Sequence, residues 1–141
     1  MAHLIITRGL PGSGKSTIAR EIVSTLPDSM EISLDDLRFE LFGASKADGI
    51  RLDRKQEGEV HRTQRQRVSE ALKAGKTVVV HDTCLPDRRL NMWSDVARKH
   101  ACSLKVIDLR GLPIEICIQR DAARDVGVGE NVIRMMAQGL P

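Results

Sequence analysis

The sequence of 141 residues has no long apolar run and few aromatic residues, and each shortage excludes a class of function. No apolar run approaches 18 residues, so we predict no membrane-spanning helix. Aromatic side chains make up 2% of the residues, with no tyrosine and only Phe39, Phe42 and Trp93. Because proteins commonly hold single-stranded nucleic acids by stacking successive bases on aromatic rings, this shortage excludes a row of base-stacking platforms.

Cysteine is also scarce. Cys84, Cys102 and Cys117 are odd in number and lie far apart, so no pair has the spacing of zinc ligands and a disulfide framework is not expected. The N-terminus runs directly into an apolar segment and a glycine-rich loop, which we read as leaving no room for a signal peptide. These features favour a cytoplasmic protein with reduced thiols.

The charge balance is mildly basic, with a net charge of +3. This excess suits phosphate-bearing ligands but does not by itself indicate nucleic-acid binding. The hydrophobic content of 41% and the charged content of 29% are typical of a globular protein. The length fits one domain over residues 1–141.

The most informative segment is a phosphate-binding motif at residues 9–17. It reads GLPGSGKST, matches the pattern G-x-x-x-x-G-K-[ST], and follows the apolar residues 3–7. Its glycines let the backbone turn tightly enough for successive N–H groups to point at phosphate oxygens, at the start of a predicted helix. Lys15 can reach the β- and γ-phosphates, and the Ser16 hydroxyl can ligate Mg²⁺. The predicted nucleotide-binding residues of this loop are Gly12, Ser13, Gly14, Lys15, Ser16 and Thr17.

Short β-rich runs alternate with longer helical stretches, which predicts an α/β fold with a parallel sheet. Strands are predicted near residues 3–8, 30–34, 76–81 and 103–109. Helices are predicted over about residues 15–25, 35–42, 50–73, 87–100, 113–124 and 130–137. Ligands of parallel sheets gather beyond the carboxyl ends of the strands, so residues that follow the strands are the candidates for a site.

Acidic residues follow the second and third predicted strands. Asp35 directly follows the second predicted strand, and Arg38 lies one helical turn beyond it. The Asp35 carboxylate could accept a proton from an attacking hydroxyl. The alternative is that Asp35 only caps the helix that starts there. Asp82 follows the third strand and could handle Mg²⁺ or its bound water, or it could merely cap a turn.

Two arginines mark a candidate lid. Arg120 and Arg124 are four residues apart, so they are predicted to share a face of the helix that begins after Pro113. Such a helix, followed by a glycine-interrupted segment, could close over the donor phosphates and stabilise charge on the transferring group. The alternative is a surface arginine pair balanced by Asp121 and Asp125.

The long predicted helix over residues 50–73 carries a basic face beside a thin apolar stripe. This face is either solvated or a wall of a substrate groove. Its cations are Arg51, Arg54, Lys55, Arg62, Arg65 and Arg67.

Five segments, in this order, carry a resemblance to a known family: GLPGSGKST at 9–17, DDLR at 35–38, QEG at 56–58, VVVHDTCLPDRRL at 78–90 and RDAAR at 120–124. Together they resemble the kinase domain of phage-type 5′-polynucleotide kinases, the P-loop phosphotransferases of nucleic-acid end repair. The likeness covers nearly the whole chain, and its motifs after the P-loop are far more specific than the P-loop itself. It implies a P-loop kinase fold with a central four-stranded parallel sheet, helices on both faces and a helical lid at about residues 113–137.

The resemblance also implies a role for each matching residue on the donor side. Lys15 would serve the donor phosphates, and Ser16 would hold the metal. Arg124 would be the lid arginine on the donor phosphates, with Arg120 supporting it.

On the acceptor side, the resemblance makes Asp35 the general base for the 5′-hydroxyl group. Arg38 would contact the acceptor's terminal phosphodiester or 3′-phosphate. Asp82 would support the site, with the metal reached through water, and Val128 would pack against the terminal nucleoside.

The chain departs from the family pattern at two points. Relatives often place a basic residue before the acidic pair, where this chain has Leu34, so one acceptor contact is expected to be absent. Many relatives also carry a 3′-phosphatase domain with a DxDxT motif, which this sequence lacks, so no phosphatase activity is expected from this chain.

We therefore expect Mg²⁺-dependent transfer of the γ-phosphoryl group of ATP or another nucleoside triphosphate to the 5′-hydroxyl end of DNA or RNA. The expected setting is the cytoplasm of a bacterial or phage-infected cell, away from membranes, and the oligomeric state stays open. One rival is a kinase of a small metabolite such as a sugar, nucleoside or antibiotic. A second is a nucleotide-gated binding module, although sensing a nucleotide needs no acceptor base.

Overall fold

The computed structural model describes residues 2–45, 51–82, 86–124 and 127–138, and these residues form four strands and six helices. The strands are β1 (His3–Arg8), β2 (Ser29–Glu31), β3 (Thr77–Val80) and β4 (Ser103–Asp108). The helices are α1 (Lys15–Thr25), α2 (Leu34–Phe42), α3 (Arg54–Lys73), α4 (Asp87–Lys99), α5 (Ile114–Ala122) and α6 (Glu130–Gln138).

The described strands make one parallel sheet in the order β2-β3-β1-β4. β1 lies inside this sheet and pairs with β3 on one side and β4 on the other, in register from Leu4 opposite Val78 and from His3 opposite Ser103. β1, which precedes the P-loop, and β3, which precedes Asp82, are buried except for His3, as parallel strands covered by helices on both faces require. The predicted α/β fold is confirmed.

Alternate residues of β1 supply two cores, because successive side chains of a strand point to opposite faces. Leu4 and Ile6 join the larger core with buried residues of α2, α3 and α4, including Trp93. Ile5 packs on the other face against Ala19 of α1. Helices therefore cover both faces of the sheet, as predicted.

Helices α5 and α6 lie outside these two layers and share a small core of their own. Ile133 of α6 and Cys117 of α5 pack there with Leu10, which belongs to the loop after β1. The predicted lid region is therefore anchored to the phosphate-binding motif by apolar contact.

The predicted start of the second helix is wrong by one residue, and the error changes the interpretation of Asp35. β2 ends at Glu31 rather than residue 34, and α2 begins at Leu34 with Ser33 as its N-cap. The Ser33 hydroxyl accepts a hydrogen bond from the Asp36 amide, which is the bond a capping side chain makes. Asp35 is therefore not the cap, and its carboxylate lies in the exposed first turn.

Two other predicted helices are too long. α3 begins at Arg54 instead of residue 50, because Asp53 and Gln56 form a reciprocal capping box there. α5 ends at Ala122, so Arg124 lies beyond the helix and the prediction of one shared helical face with Arg120 is wrong.

In the described part of the chain, none of the helices has both the length and the apolar content that crossing a membrane requires. Cys102 and Cys117 are free thiols, whereas Cys84 lies outside the described residues. Asp125, considered above as a balancing charge for the two arginines, also lies outside them.

Candidate active site

The loop between β1 and α1 forms a cradle of backbone amides. Gly12 and Gly14 both have positive φ, at 83° and 100°, a conformation that glycine adopts without strain. Gly14 is the N-cap of α1 and has no side chain to satisfy the helix's first amides. These amides and the positive end of the helix dipole therefore suit an anion such as a phosphate group.

Lys15 is held within this loop. Its ammonium group donates a hydrogen bond of 2.8 Å to the Leu10 carbonyl, and its side chain is almost completely buried. The loop in turn presses on α5, because a Cβ atom at Gly12 would lie 2.2 Å from the carbonyl oxygen of Cys117. Glycine at position 12 thus permits both the turn and the close approach of the lid region.

A cavity of about 800 Å³ opens above the loop, within the size range of small-molecule sites. Its lining includes every site residue that the sequence predicts: the six loop residues, Asp35, Arg38, Asp82, Arg120, Arg124 and Val128. Five cationic and three anionic side chains line the cavity, so it is electrostatically suited to a polyphosphate. None of the six cations of the predicted basic face lines it.

Arg38 is fixed beside Asp35 by a third residue that the sequence motifs left without a role. The Glu57 carboxylate accepts two hydrogen bonds from the Arg38 guanidinium, at 2.8 and 3.0 Å, while Arg38 Nη1 also donates to Asp35 Oδ1 at 2.8 Å. Hydrogen bonding to Glu57 raises the pKa of Arg38, and hydrogen bonding from Arg38 lowers the pKa of Glu57. The guanidinium is therefore a fixed, permanent positive charge next to the candidate base.

A second contact extends this network away from the cavity. Arg89 Nη1 donates to His61 Nδ1 at 2.7 Å, and His61 Nε2 lies 3.6 Å from Glu57 Oε2. Burial lowers the pKa of His61, and the neighbouring Arg89 cation lowers it further. A neutral His61 can accept the bond from Arg89, which keeps the support behind Glu57 intact.

Asp82 is held at the end of β3 by two donors. Its Oδ1 accepts from the Leu34 amide at 3.1 Å, and its Oδ2 accepts from Gln64 Nε2 at 2.6 Å. Gln64 is fully buried in α3 and also donates to the Ile32 carbonyl at 3.3 Å. Because Asp82 joins the ends of β3 and α2, its position is tied to that of Asp35.

Within the predicted lid region, the backbone at residues 128–129 is held by Asp121, which is 3% exposed. Its carboxylate accepts hydrogen bonds from the amides of Val128 and Gly129, at 3.0 and 2.9 Å. Arg124 Nη1 lies 3.5 Å from the same carboxylate, and Arg120 Nη1 lies 3.5 Å from the Ser13 carbonyl. Both arginines thus line the cavity although they do not share a helix.

The residues present fit a magnesium ion carried by the nucleotide. Mg²⁺ in kinase sites usually takes one or two protein ligands and completes its shell with phosphate oxygens and water. Ser16 and Asp82 line the cavity, and each Asp82 oxygen accepts one bond while keeping a second lone pair. Within the described ranges, no cluster of three histidine, cysteine or acidic side chains offers a metal site made by the protein alone.

Sequence reasoning missed the roles of Glu57, Gln64 and Asp121. A signal existed for Gln64, because it interrupts the buried stripe of Val60 and Val68 with a polar residue at the same four-residue spacing. Glu57 stood in the QEG segment without an assigned partner. For Asp121 the sequence suggested only a charge balance for the arginine pair, because its hydrogen bonds to the amides of Val128 and Gly129 leave no side-chain pattern.

Comparison with known proteins gives a family and several relatives. The model of a family described as AAA domain matches residues 4–140. A protein of Autographa californica nuclear polyhedrosis virus, named as a bifunctional polynucleotide kinase/RNA ligase, is 28% identical over 130 residues. That match covers 86% of this chain but 18% of the viral protein, so the chain spans less than a fifth of this relative's length.

Solved structures give a similar result. A chain of the Pnkp1/Rnl/Hen1 RNA repair complex is 25% identical with a TM-score of 0.78, covering 99% of this chain and 44% of that one. A gluconokinase from Sinorhizobium meliloti 1021 has a TM-score of 0.67 at 18% identity, covering 99% of this chain and 75% of that one. The likeness to the gluconokinase shows the fold alone.

Proposed function

This chain belongs to the AAA domain family as a P-loop kinase domain of the polynucleotide kinase type, and from that premise we propose that it phosphorylates the 5′-hydroxyl ends of DNA or RNA. The phosphoryl donor is a nucleoside triphosphate, with ATP as the first candidate. The main support is that one cavity joins the P-loop, the lid arginines and an aspartate paired with a fixed arginine.

The donor occupies the loop side of the cavity in this proposal. Backbone amides of the P-loop and Lys15 bind the β- and γ-phosphates, and Arg124, supported by Arg120, contacts them from the lid. Ser16 and Asp82 would hold Mg²⁺, which when bound would neutralise charge on the transferring group. Because these charges are held in place before the reaction, they stabilise the transition state without reorganising.

The acceptor enters at the end of β2 and β3. Asp35 accepts the proton of the 5′-hydroxyl group, the hydroxyl oxygen forms a bond to the γ-phosphorus, and the bond from that phosphorus to the bridging oxygen breaks. The products are the 5′-phosphate end, the nucleoside diphosphate and a proton released from Asp35. Arg38 binds the phosphate that follows the terminal nucleoside, which requires the guanidinium to be fixed as Glu57 fixes it.

The test is transfer of labelled phosphate from ATP to a 5′-hydroxyl oligonucleotide, in parallel with a panel of sugars, nucleosides and antibiotics. We expect label on DNA or RNA ends, and we expect Asp35→Asn to abolish transfer while ATP binding persists. Label on a metabolite and none on the oligonucleotide would reject the acceptor. If Asp35→Ala transfers phosphate as well as the wild type while Lys15→Ala loses ATP binding, Asp35 is not the general base.

A further inference from the structure

One aromatic side chain of this chain is left exposed. All three aromatic residues lie in the described part of the chain, where Trp93 is fully buried and Phe42 packs against the main core. Phe39 is 62% exposed. Single exposed apolar side chains are common on proteins, so the significance of Phe39 depends on its position.

Phe39 lies one helical turn after Asp35 and lines a second groove of about 490 Å³. Asp35 and Arg38 line both this groove and the nucleotide cavity, so the two spaces meet at the candidate base. Phe39 follows Asp35 by four positions in α2, a rise of about 6 Å along the helix. The second groove therefore connects the position of an acceptor end at Asp35 with Phe39.

The charge of the second groove argues against tight binding of the sugar–phosphate backbone there. Three carboxylates line it, from Asp35, Asp36 and Glu57, against the two cations Arg38 and Arg51. Arg38 is already committed to Glu57 and to the proposed terminal phosphate contact. The groove instead offers the exposed aromatic ring of Phe39, and any nucleobase has a π-face that can stack on such a ring.

We propose that Phe39 is a stacking platform for a nucleobase just inside the 5′ end of a single-stranded acceptor, at the second or third nucleotide. This inference rests on the proposed function and adds a determinant of acceptor specificity to it. A base held in a duplex cannot turn its face to a side chain, so unpaired 5′ ends are preferred over blunt duplex ends. Because stacking involves no phosphate charge, the contribution of Phe39 is insensitive to salt.

The experiment compares Phe39→Ala, Phe39→Tyr and the wild type on three acceptors. They are a single-stranded oligonucleotide, the same oligonucleotide without bases at its second and third nucleotides, and a nucleoside 3′-phosphate. Leu26→Ala is the matched control, because Leu26 is another exposed apolar residue, 42% exposed, at the far end of α1.

For Phe39→Ala we expect the KM for the intact oligonucleotide to rise roughly five- to tenfold with kcat unchanged. The KM for the abasic oligonucleotide and for the nucleoside 3′-phosphate should equal the wild-type value, and Phe39→Tyr should behave as the wild type. An unchanged KM for the intact oligonucleotide, or an equal rise for all three acceptors, would overturn the stacking role. Absence of wild-type transfer to every one of these acceptors would instead reject the proposed function.

Discussion

Replacing Glu57 with glutamine would test whether the fixed position of Arg38 is what binds the acceptor. Glutamine keeps the length of the side chain but loses the charge and one of the two oxygens that accept from the Arg38 guanidinium. The guanidinium would then be held mainly by Asp35. We expect weaker acceptor binding with nucleotide binding unchanged, because Glu57 does not line the nucleotide cavity.

The size of the effect follows from the exposure of the pair. Hydrogen bonds to charged groups contribute about 1.5–3 kcal/mol, whereas exposed ion pairs contribute about 0–1 kcal/mol. The side chains of Arg38 and Glu57 are 29% and 31% exposed, so their pair belongs between these limits. A loss of about 1.4 kcal/mol corresponds to a tenfold rise in the KM for the acceptor.

The assay is steady-state transfer to a 5′-hydroxyl oligonucleotide, with KM measured separately for oligonucleotide and ATP. Glu40→Gln is the matched control, since Glu40 makes the same type of two-bond contact with Arg67 on the exposed surface. Glu40→Gln should leave both KM values unchanged. If Glu57→Gln raises the KM for the oligonucleotide no more than Glu40→Gln does, Glu57 does not position Arg38 for acceptor binding.

Three further predictions concern the loop, the support of Asp82 and pH. Gly12→Ala and Gly43→Ala both place alanine at positive φ, but the new Cβ meets the backbone of α5 at position 12 and nothing within 4 Å at position 43. Gly12→Ala should therefore lower the melting temperature by at least about 5 °C more than Gly43→Ala does. Equal melting temperatures of the two variants would contradict the close packing of Gly12 against α5. Gln64→Met keeps a similar volume but removes the donor to Asp82 Oδ2 and to the Ile32 carbonyl. We expect kcat to fall roughly tenfold and the free energy of unfolding to fall by about 1–3 kcal/mol; an unchanged kcat would count against a role for Asp82. The lowered pKa of His61 means that the unfolded chain binds more protons below about pH 6.5, so the free energy of unfolding should decrease as the pH falls from 7 to 5. His61→Gln should flatten this decrease in chemical denaturation, and an identical pH profile would show that His61 does not cause it.

The sequence predicted the fold because its strongest signals are local. The apolar run of β1, the glycines of the P-loop and the alternation of strands with helices each act over a few residues. Errors appeared where two local signals competed. Asp35 and Ser33 are both good helix caps, and the hydroxyl of Ser33 took the position because β2 ended early.

Candidate site residues could be chosen from the sequence since the carboxyl ends of parallel strands face one edge of the sheet. Their partners could not be chosen in this way. Glu57 meets Arg38 across 19 positions of the chain, and Gln64 meets Asp82 across 18. Such contacts depend on how α3 packs against α2 and β3, which local patterns do not specify.

By itself, therefore, the sequence determined that this chain binds a nucleotide, on a parallel sheet, with an acid and an arginine placed one helical turn apart. Tertiary structure alone decided which carboxylate fixes Arg38, that Asp121 binds the amides of Val128 and Gly129, and that Phe39 is exposed near the candidate base. The physical reason is that backbone conformation responds to neighbouring residues, whereas a side chain's partners and exposure are set by whichever distant elements pack around it.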